Sequence, residues 1–240
     1  MKSLFLFPLV ALGSVALPSP KGTMPPLRPT HAAPDSTAVR VIHGADEPEV
    51  NEVLTSVLHV EKQRLSIHDP RLAGRLFHIT YQEYRQGKAE PERELTSQFA
   101  RLLQFDSTGA FTCTVYSRRA AETKVENRFL LPQGMVIKAF TADPKRADQY
   151  SLRPDIHRLY RAADQAGRPA NSPASEIHLP LGRKVPLVVY TLPYESDGLL
   201  LYCNLAQSRV PVGEWYGRFH IPHFVVYYVQ IEPEKTQVAK

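Results

Sequence analysis

The sequence lacks the short motifs that mark common catalytic and nucleotide-binding sites. It has no Gly-x-Ser-x-Gly elbow, no His-Glu-x-x-His, no glycine-rich phosphate loop and no Cys-x-x-Cys pair. These absences disfavour serine hydrolases, zinc proteases, P-loop proteins and thioredoxin-like proteins. A sequon for N-glycosylation is absent as well, because no asparagine is followed by serine or threonine at the required position.

Charge of one sign is not concentrated in any segment. The net charge is +5, but the basic residues are spread along the chain, without a basic arm or a basic stretch interleaved with aromatic residues. This distribution is typical of solvated surface charge, so we predict no nucleic-acid partner. The positive net charge is also compatible with weak attraction to an anionic polysaccharide or a membrane surface.

A long apolar run is missing beyond the N-terminus, which reads MKSLFLFPLVALGSVALPSP. Lys2 gives a positive start, and residues 3–12 form an apolar stretch too short for a membrane span. The small residues Ser14 and Ala16 fit a signal-peptidase site, so we expect a signal peptide over 1–16. The alternative is a short N-terminal anchor. With the signal removed, we expect a secreted or periplasmic protein without a transmembrane segment.

The next segment, residues 17–38, holds six prolines and almost no periodic hydrophobicity. Such a composition predicts a disordered, polyproline-like leader that tethers or spaces the folded part. A processed pro-segment is the alternative. We expect one folded, mostly-β domain over 39–240.

Within that domain most predicted elements are strands about ten residues apart, with turn signals between them. FTCTVYS alternates like a half-buried strand, PQG marks a hairpin, and FVVYYVQI is apolar on both faces, as a central covered strand would be. Helices are predicted near 50–58, 154–167 and 212–219. The fold class is therefore mainly β (α+β by content): an antiparallel β-sandwich or barrel with two or three peripheral helices.

The two cysteines, Cys113 and Cys203, both fall on apolar faces of predicted strands. Cys113 alternates with Phe111 and Val115, and Cys203 with Leu199 and other leucines. An oxidising compartment permits them to pair. The sequence leaves open whether they form a disulfide or stay separate as small buried hydrophobes.

Near the C-terminus, Glu214, His220 and His223 raise the question of a metal site. Two imidazoles and a carboxylate are suitable zinc ligands, and a metal-dependent hydrolase is the alternative function that they suggest. Pro222 lies between the histidines and favours an extended chain, in which residues three apart point to opposite faces. The preferred interpretation is that Pro222 begins a core strand and that His223 bonds a neighbouring backbone group, so no cofactor is predicted.

Carboxylates and tyrosines supply the remaining candidates. Glu83, Glu90 and Glu92 flank a predicted loop and are interpreted as solvated. Tyr116 and Tyr202 point away from the cysteines and are the predicted binding residues, since outward tyrosines form platforms for sugars or peptides. The leading prediction is an exported, non-enzymatic binding or structural module of the cell envelope or extracellular space, with a protein or glycan partner at the cell surface.

Overall fold

The computed structural model of the chain describes residues 36–96, 103–154, 174–202 and 210–233. No helix in these ranges has the length and the apolar character needed to cross a membrane. The strands are β1 (Ser36–His43), β2 (Val60–His68), β3 (Phe77–Arg85), β4 (Lys88–Ala89), β5 (Arg93–Glu94), β6 (Ala110–Ala121), β7 (Lys124–Leu131), β8 (Gly134–Thr141), β9 (Ser151–Pro154), β10 (Ala174–Pro180), β11 (Val185–Thr191), β12 (Tyr194–Ser196), β13 (Leu199–Leu201) and β14 (His223–Ile231).

Helices are few and short in the described part of the chain. They are α1 (Pro48–Glu52), which continues into a π-helical turn over Val53–Val57, and α2 (Trp215–Phe219). Two 3-10 turns cover Pro70–Leu72 and Val212–Glu214, the second running directly into α2.

Two antiparallel sheets form the body of the fold. The first sheet has the strand order β10-β1-β2-β6-β7-β8, and the second has the order β4-β3-β14-β11-β9, with β5 also paired to β3. Strands β12 and β13 form a separate two-stranded hairpin. The predicted mainly-β, antiparallel architecture is confirmed, and its form is sandwich-like rather than a closed barrel.

The first sheet turns one face to the core. In β6, Phe111, Cys113 and Val115 are buried, whereas Thr112 between them is exposed. This alternation follows from the two-residue period of a strand, which sends successive side chains to opposite faces. The result is an inner face directed at the second sheet and an outer face without a covering layer in the described residues.

The second sheet is covered on both faces around its central strand, β14. Val225, Val226 and Tyr227 are each 0% exposed although neighbouring side chains point in opposite directions. The fully buried Trp215 of α2 packs on Phe224, with 5.1 Å between ring centroids, and so covers the face turned away from the first sheet. The prediction of a central strand covered on both sides is confirmed.

Polar side chains join the two sheets in the interior. The Asn127 amide of β7 donates to the Tyr227 hydroxyl of β14 at 2.6 Å, and the Gln63 amide of β2 donates to the Leu152 carbonyl of β9 at 2.6 Å. Each bond pairs a buried side-chain N–H group, which would cost about 1–3 kcal/mol if it were left unpaired. These bonds fix how one sheet is placed on the other.

Several local predictions differ from the structure. Strand β1 begins at Ser36, inside the predicted leader. The helical turns near 50–58 exist, but Val50, Val53 and Val57 lie 48%, 49% and 67% exposed. The prediction that Leu199 faces the core is wrong, because β13 belongs to the separate hairpin and Leu199 is 62% exposed. The predicted helix over 154–167 lies almost wholly outside the described residues.

Candidate functional site

A pocket of about 550 Å³ lies between the ends of the two sheets, and we call it the end pocket. Segments from both sheets converge on it. They are the end of β3, the turn into β4, the end of β8, the segment before β9 and the start of β14. Its lining residues are Arg85, Gln86, Lys88, Glu90, Thr141, Ala142, Asp143, Tyr150, Leu192, Pro222 and His223.

The floor of the end pocket is a chain of hydrogen bonds centred on His223. This imidazole is 6% exposed; its Nδ1 bonds the Tyr150 hydroxyl, and its Nε2 lies 2.8 Å from Oε1 of Glu83. Burial raises the pKa of Tyr150, so its hydroxyl keeps its proton in this hydrogen bond with Nδ1. Because an ionised carboxylate can only accept, the Nε2–H of His223 donates to Glu83.

Glu83 is ionised in this arrangement despite its partial burial. Burial by itself would raise the pKa of Glu83, but the hydrogen bond from His223 and the charge of Arg85 together lower it below the ordinary value. Arg85 pairs with Glu83 and also donates from both terminal nitrogens to the Thr141 carbonyl at 3.3 Å. Arg85 therefore ties β3 of the second sheet to β8 of the first.

The rim of the end pocket depends on a tight turn between β3 and β4. Gln86 and Gly87 both have positive φ, 46° and 78°, and the Gln86 N–H donates to the Pro222 carbonyl at 2.6 Å. A Cβ on Gly87 would lie 2.9 Å from Cδ1 of Tyr216. Glycine is favoured there, because both the backbone conformation and the close approach of the Tyr216 side chain disfavour a Cβ.

The Tyr150 hydroxyl, the His223 imidazole and the Glu83 carboxylate are joined by consecutive hydrogen bonds. Such a series resembles the arrangement that activates nucleophiles in enzymes. The raised pKa of Tyr150 makes its hydroxyl a hydrogen-bond donor and a poor nucleophile at neutral pH. His223 has both ring nitrogens occupied within the protein. Tyr150, His223 and Glu83 therefore form a fixed, hydrogen-bonded floor beneath the end pocket.

A second polar pocket, of about 370 Å³, opens on the outer face of the second sheet. His78 lies 3.3 Å from Glu94 and 3.0 Å from Glu232, and Glu92 pairs with Lys184 at 2.6 Å. These side chains are paired with one another, so a ligand in this pocket would have to compete with those pairs.

The structure does not bring the three proposed metal ligands together. Glu214 pairs with Arg218 of α2 at 3.7 Å, His220 is an exposed C-cap residue with φ of 53°, and His223 lies in the pocket floor. Across the described ranges, no group of three or more His, Cys, Asp or Glu residues could hold a metal ion. His223 also bonds side chains rather than the expected backbone group.

The two predicted binding tyrosines have different surroundings. Tyr116 lies on the outer face of the first sheet, half-buried and opposite to Cys113, as expected. Tyr202 is not an open platform: the Arg153 guanidinium lies 4.3 Å from its ring centroid, and its hydroxyl donates to the Gln149 carbonyl. Only Tyr116 remains as a surface candidate.

Cys113 is a free and buried thiol, and burial raises its pKa to about 12. Cys203 lies outside the described residues, so the disulfide stays a prediction.

Glu83, Arg85 and Tyr150 are site residues that were not predicted from the sequence. Glu83 was interpreted as solvated, yet it is half-buried against His223. A signal was present, because the alternation of Phe77, Ile79 and Tyr81 places positions 83 and 85 on the same inward face. No such signal marks Tyr150, which reaches His223 from 73 residues away.

Comparison with known proteins adds no family: no protein-family model matches the chain, and no curated protein or solved structure is significantly similar to it.

Proposed function

We propose that the protein is an exported, non-enzymatic binding module that holds a sugar unit of a neutral glycan in the end pocket. The signal-like N-terminus, with its short apolar stretch and small residues before position 17, supports export to the periplasm or the extracellular space. A pocket of about 550 Å³ has the size of a small-molecule site.

The observation that carries this proposal is the balance of polar groups around the end pocket. Two cations, Arg85 and Lys88, and two acids, Glu90 and Asp143, share its lining. Arg85 is already paired with Glu83 beneath the pocket, and Lys88 shares the lining with Glu90 and Asp143, so no large charge of one sign is left to attract a charged ligand. A polyhydroxylated, uncharged ligand uses both donors and acceptors, since each sugar hydroxyl both donates and accepts.

The floor supports the same proposal because it is fixed before any ligand arrives. Tyr150 and His223 are held by each other, and Glu83 and Arg85 hold the strand end beneath them. A preorganised site loses less conformational entropy on binding than a mobile one.

The experiment is a glycan-array screen of the mature protein, followed by calorimetric titration of the glycans that bind. Lys88→Ala and Glu90→Ala are the pocket variants. The main-chain bonds of Glu90 do not depend on its side chain. Arg183→Ala and Glu49→Ala are charge-matched controls at exposed positions outside the pocket. Each lost hydrogen bond to a charged group should weaken binding roughly tenfold or more, and the controls should bind like the parent protein.

Two results would contradict the proposal. One is a screen in which no neutral glycan binds. The other is glycan binding that survives both pocket variants unchanged, which would place the sugar elsewhere on the protein.

A further inference from the structure

The outer face of the first sheet carries a row of charged and aromatic side chains across three strands. The register pairs Lys62 of β2 with Tyr116 of β6, and Tyr116 with Arg128 of β7. Directly paired residues on one face have their side chains in contact distance. Tyr116 therefore stands between two cations, with Arg118 next to it on its own strand.

The acidic groups near this row do not cancel its charge. Glu126 is 7% exposed and lies beneath two arginines, with Oε1 at 2.7 Å from Nε of Arg118 and 2.7 Å from Nη2 of Arg128. The single carboxylate of Glu126 neutralises only one of the two guanidinium groups, so this trio keeps a net charge of +1. Lys62 adds a second positive charge. The row is thus a cationic surface with a half-buried tyrosine at its centre.

An exposed apolar patch adjoins the row at the edge of the sheet. Leu130, Met135 and Ile137 are 41%, 49% and 44% exposed. Leu130 pairs with Met135, and Ile137 pairs with Arg128, so the patch is continuous with the cationic row. Exposed large apolar side chains that cluster in this way mark interaction surfaces.

Strand addition by a second copy does not explain the patch. Lys138 of the edge strand β8 points inward, where its Nζ lies 5.2 Å from the Tyr81 ring centroid. A charged side chain directed inward on an edge strand is a known protection against pairing with another chain. The exposed face of β8, rather than its edge, is the part available to a partner.

We propose that this outer face binds an anionic lipid surface. Leu130, Met135 and Ile137 would lie at the boundary between headgroups and acyl chains, and Lys62 and Arg128 would contact lipid phosphates. Tyr116, with an apolar ring and a polar hydroxyl, suits the headgroup level between them. The charge of the row and the apolar patch beside it together favour a bilayer over a soluble polyanion, which would leave the patch unused.

The test is co-sedimentation of the mature protein with vesicles of phosphatidylglycerol and phosphatidylcholine, compared with vesicles of phosphatidylcholine alone. Ile137→Ser and Lys62→Gln alter the two parts of the face. Leu200→Ser and Lys145→Gln are matched controls, because both residues are exposed and lie outside the face. The parent should bind the anionic vesicles preferentially, and each face variant should weaken that binding about fivefold. The controls should bind like the parent protein, and circular dichroism should show that all variants are folded.

Equal binding to both vesicle types, or no binding to either, would overturn the proposal. It would also be overturned if Ile137→Ser bound anionic vesicles like the parent protein. Binding to heparin or RNA without vesicle binding would show that the face recognises a soluble polyanion instead.

Discussion

Replacing His223 by alanine removes the group on which the floor of the end pocket depends. The imidazole is 6% exposed and packs beside the rings of Tyr150 and Phe140, at 5.5 and 6.5 Å between centroids. Its loss leaves the 7% exposed Tyr150 without its partner, at a cost of about 1–3 kcal/mol. Arg85 stays beside Glu83 and limits the cost there. Removal of the buried ring also loses its packing contacts. Together with the unpaired hydroxyl, this loss should decrease the free energy of unfolding by about 3–4 kcal/mol.

Urea unfolding followed by the fluorescence of Trp215, the single tryptophan, measures this change directly. The matched control is His220→Ala, three residues away, where the side chain is exposed and the expected change is within about 0.5 kcal/mol. If His223→Ala decreased the free energy of unfolding by less than about 1 kcal/mol, the reasoning would be refuted. Loss of a buried side chain that makes two hydrogen bonds should cost more than that.

Three further predictions concern single residues. The pKa of Asp69 is lowered from 3.8 to about 2, chiefly by its hydrogen bond from Arg71, so its stabilisation is present above pH 3.8 and is lost as the pH falls through about 2. Urea midpoints of Asp69→Asn should therefore lie below those of the parent at neutral pH and approach them in acid. In a Cys203→Ser background, Cys113 should react with a thiol reagent at mildly alkaline pH only after unfolding, because burial raises its pKa to about 12. Gly87→Ala should cost about 1–2 kcal/mol in urea unfolding, because alanine resists a φ of 78°.

The parts of the fold in which apolar residues recur with a short period were predictable from the sequence. The alternation in β6 and the doubly apolar β14 determine which faces are buried, and both predictions are confirmed. The hairpin around Pro132 and Gln133 was marked by local turn residues, and β7 and β8 pair there as expected. These features depend on neighbours within a few residues, which is why a single sequence specifies them.

The end pocket could not be predicted in the same way. His223 bonds Glu83, which is 140 residues away in the sequence, and Tyr150, which is 73 residues away. The site therefore depends on strand order rather than on any local pattern. The structure does not bring the three proposed metal ligands together for a related reason. His220 itself has a left-handed conformation, and Pro222 lies between it and His223, so the two histidines are close in sequence but lie in different environments.

Helix α1 and the π-helical turn that follows it show a limit of apolar periodicity. Val50, Val53 and Val57 have the spacing of a buried face, yet they are exposed on a connection between β1 and β2. Periodicity predicts that a segment is helical, whereas burial requires a second element to pack against, and none of the described residues covers this face.

The central claim is that the end pocket binds a neutral sugar unit. The most direct test is an amide-resolved NMR titration of the mature protein with a glycan that binds in the array screen. We expect saturable shifts of the amide signals of Gln86, Thr141 and Leu192, which surround the pocket, and unchanged signals at Tyr116 on the outer face. Shifts confined to residues away from the pocket, or none at saturating glycan, would contradict it.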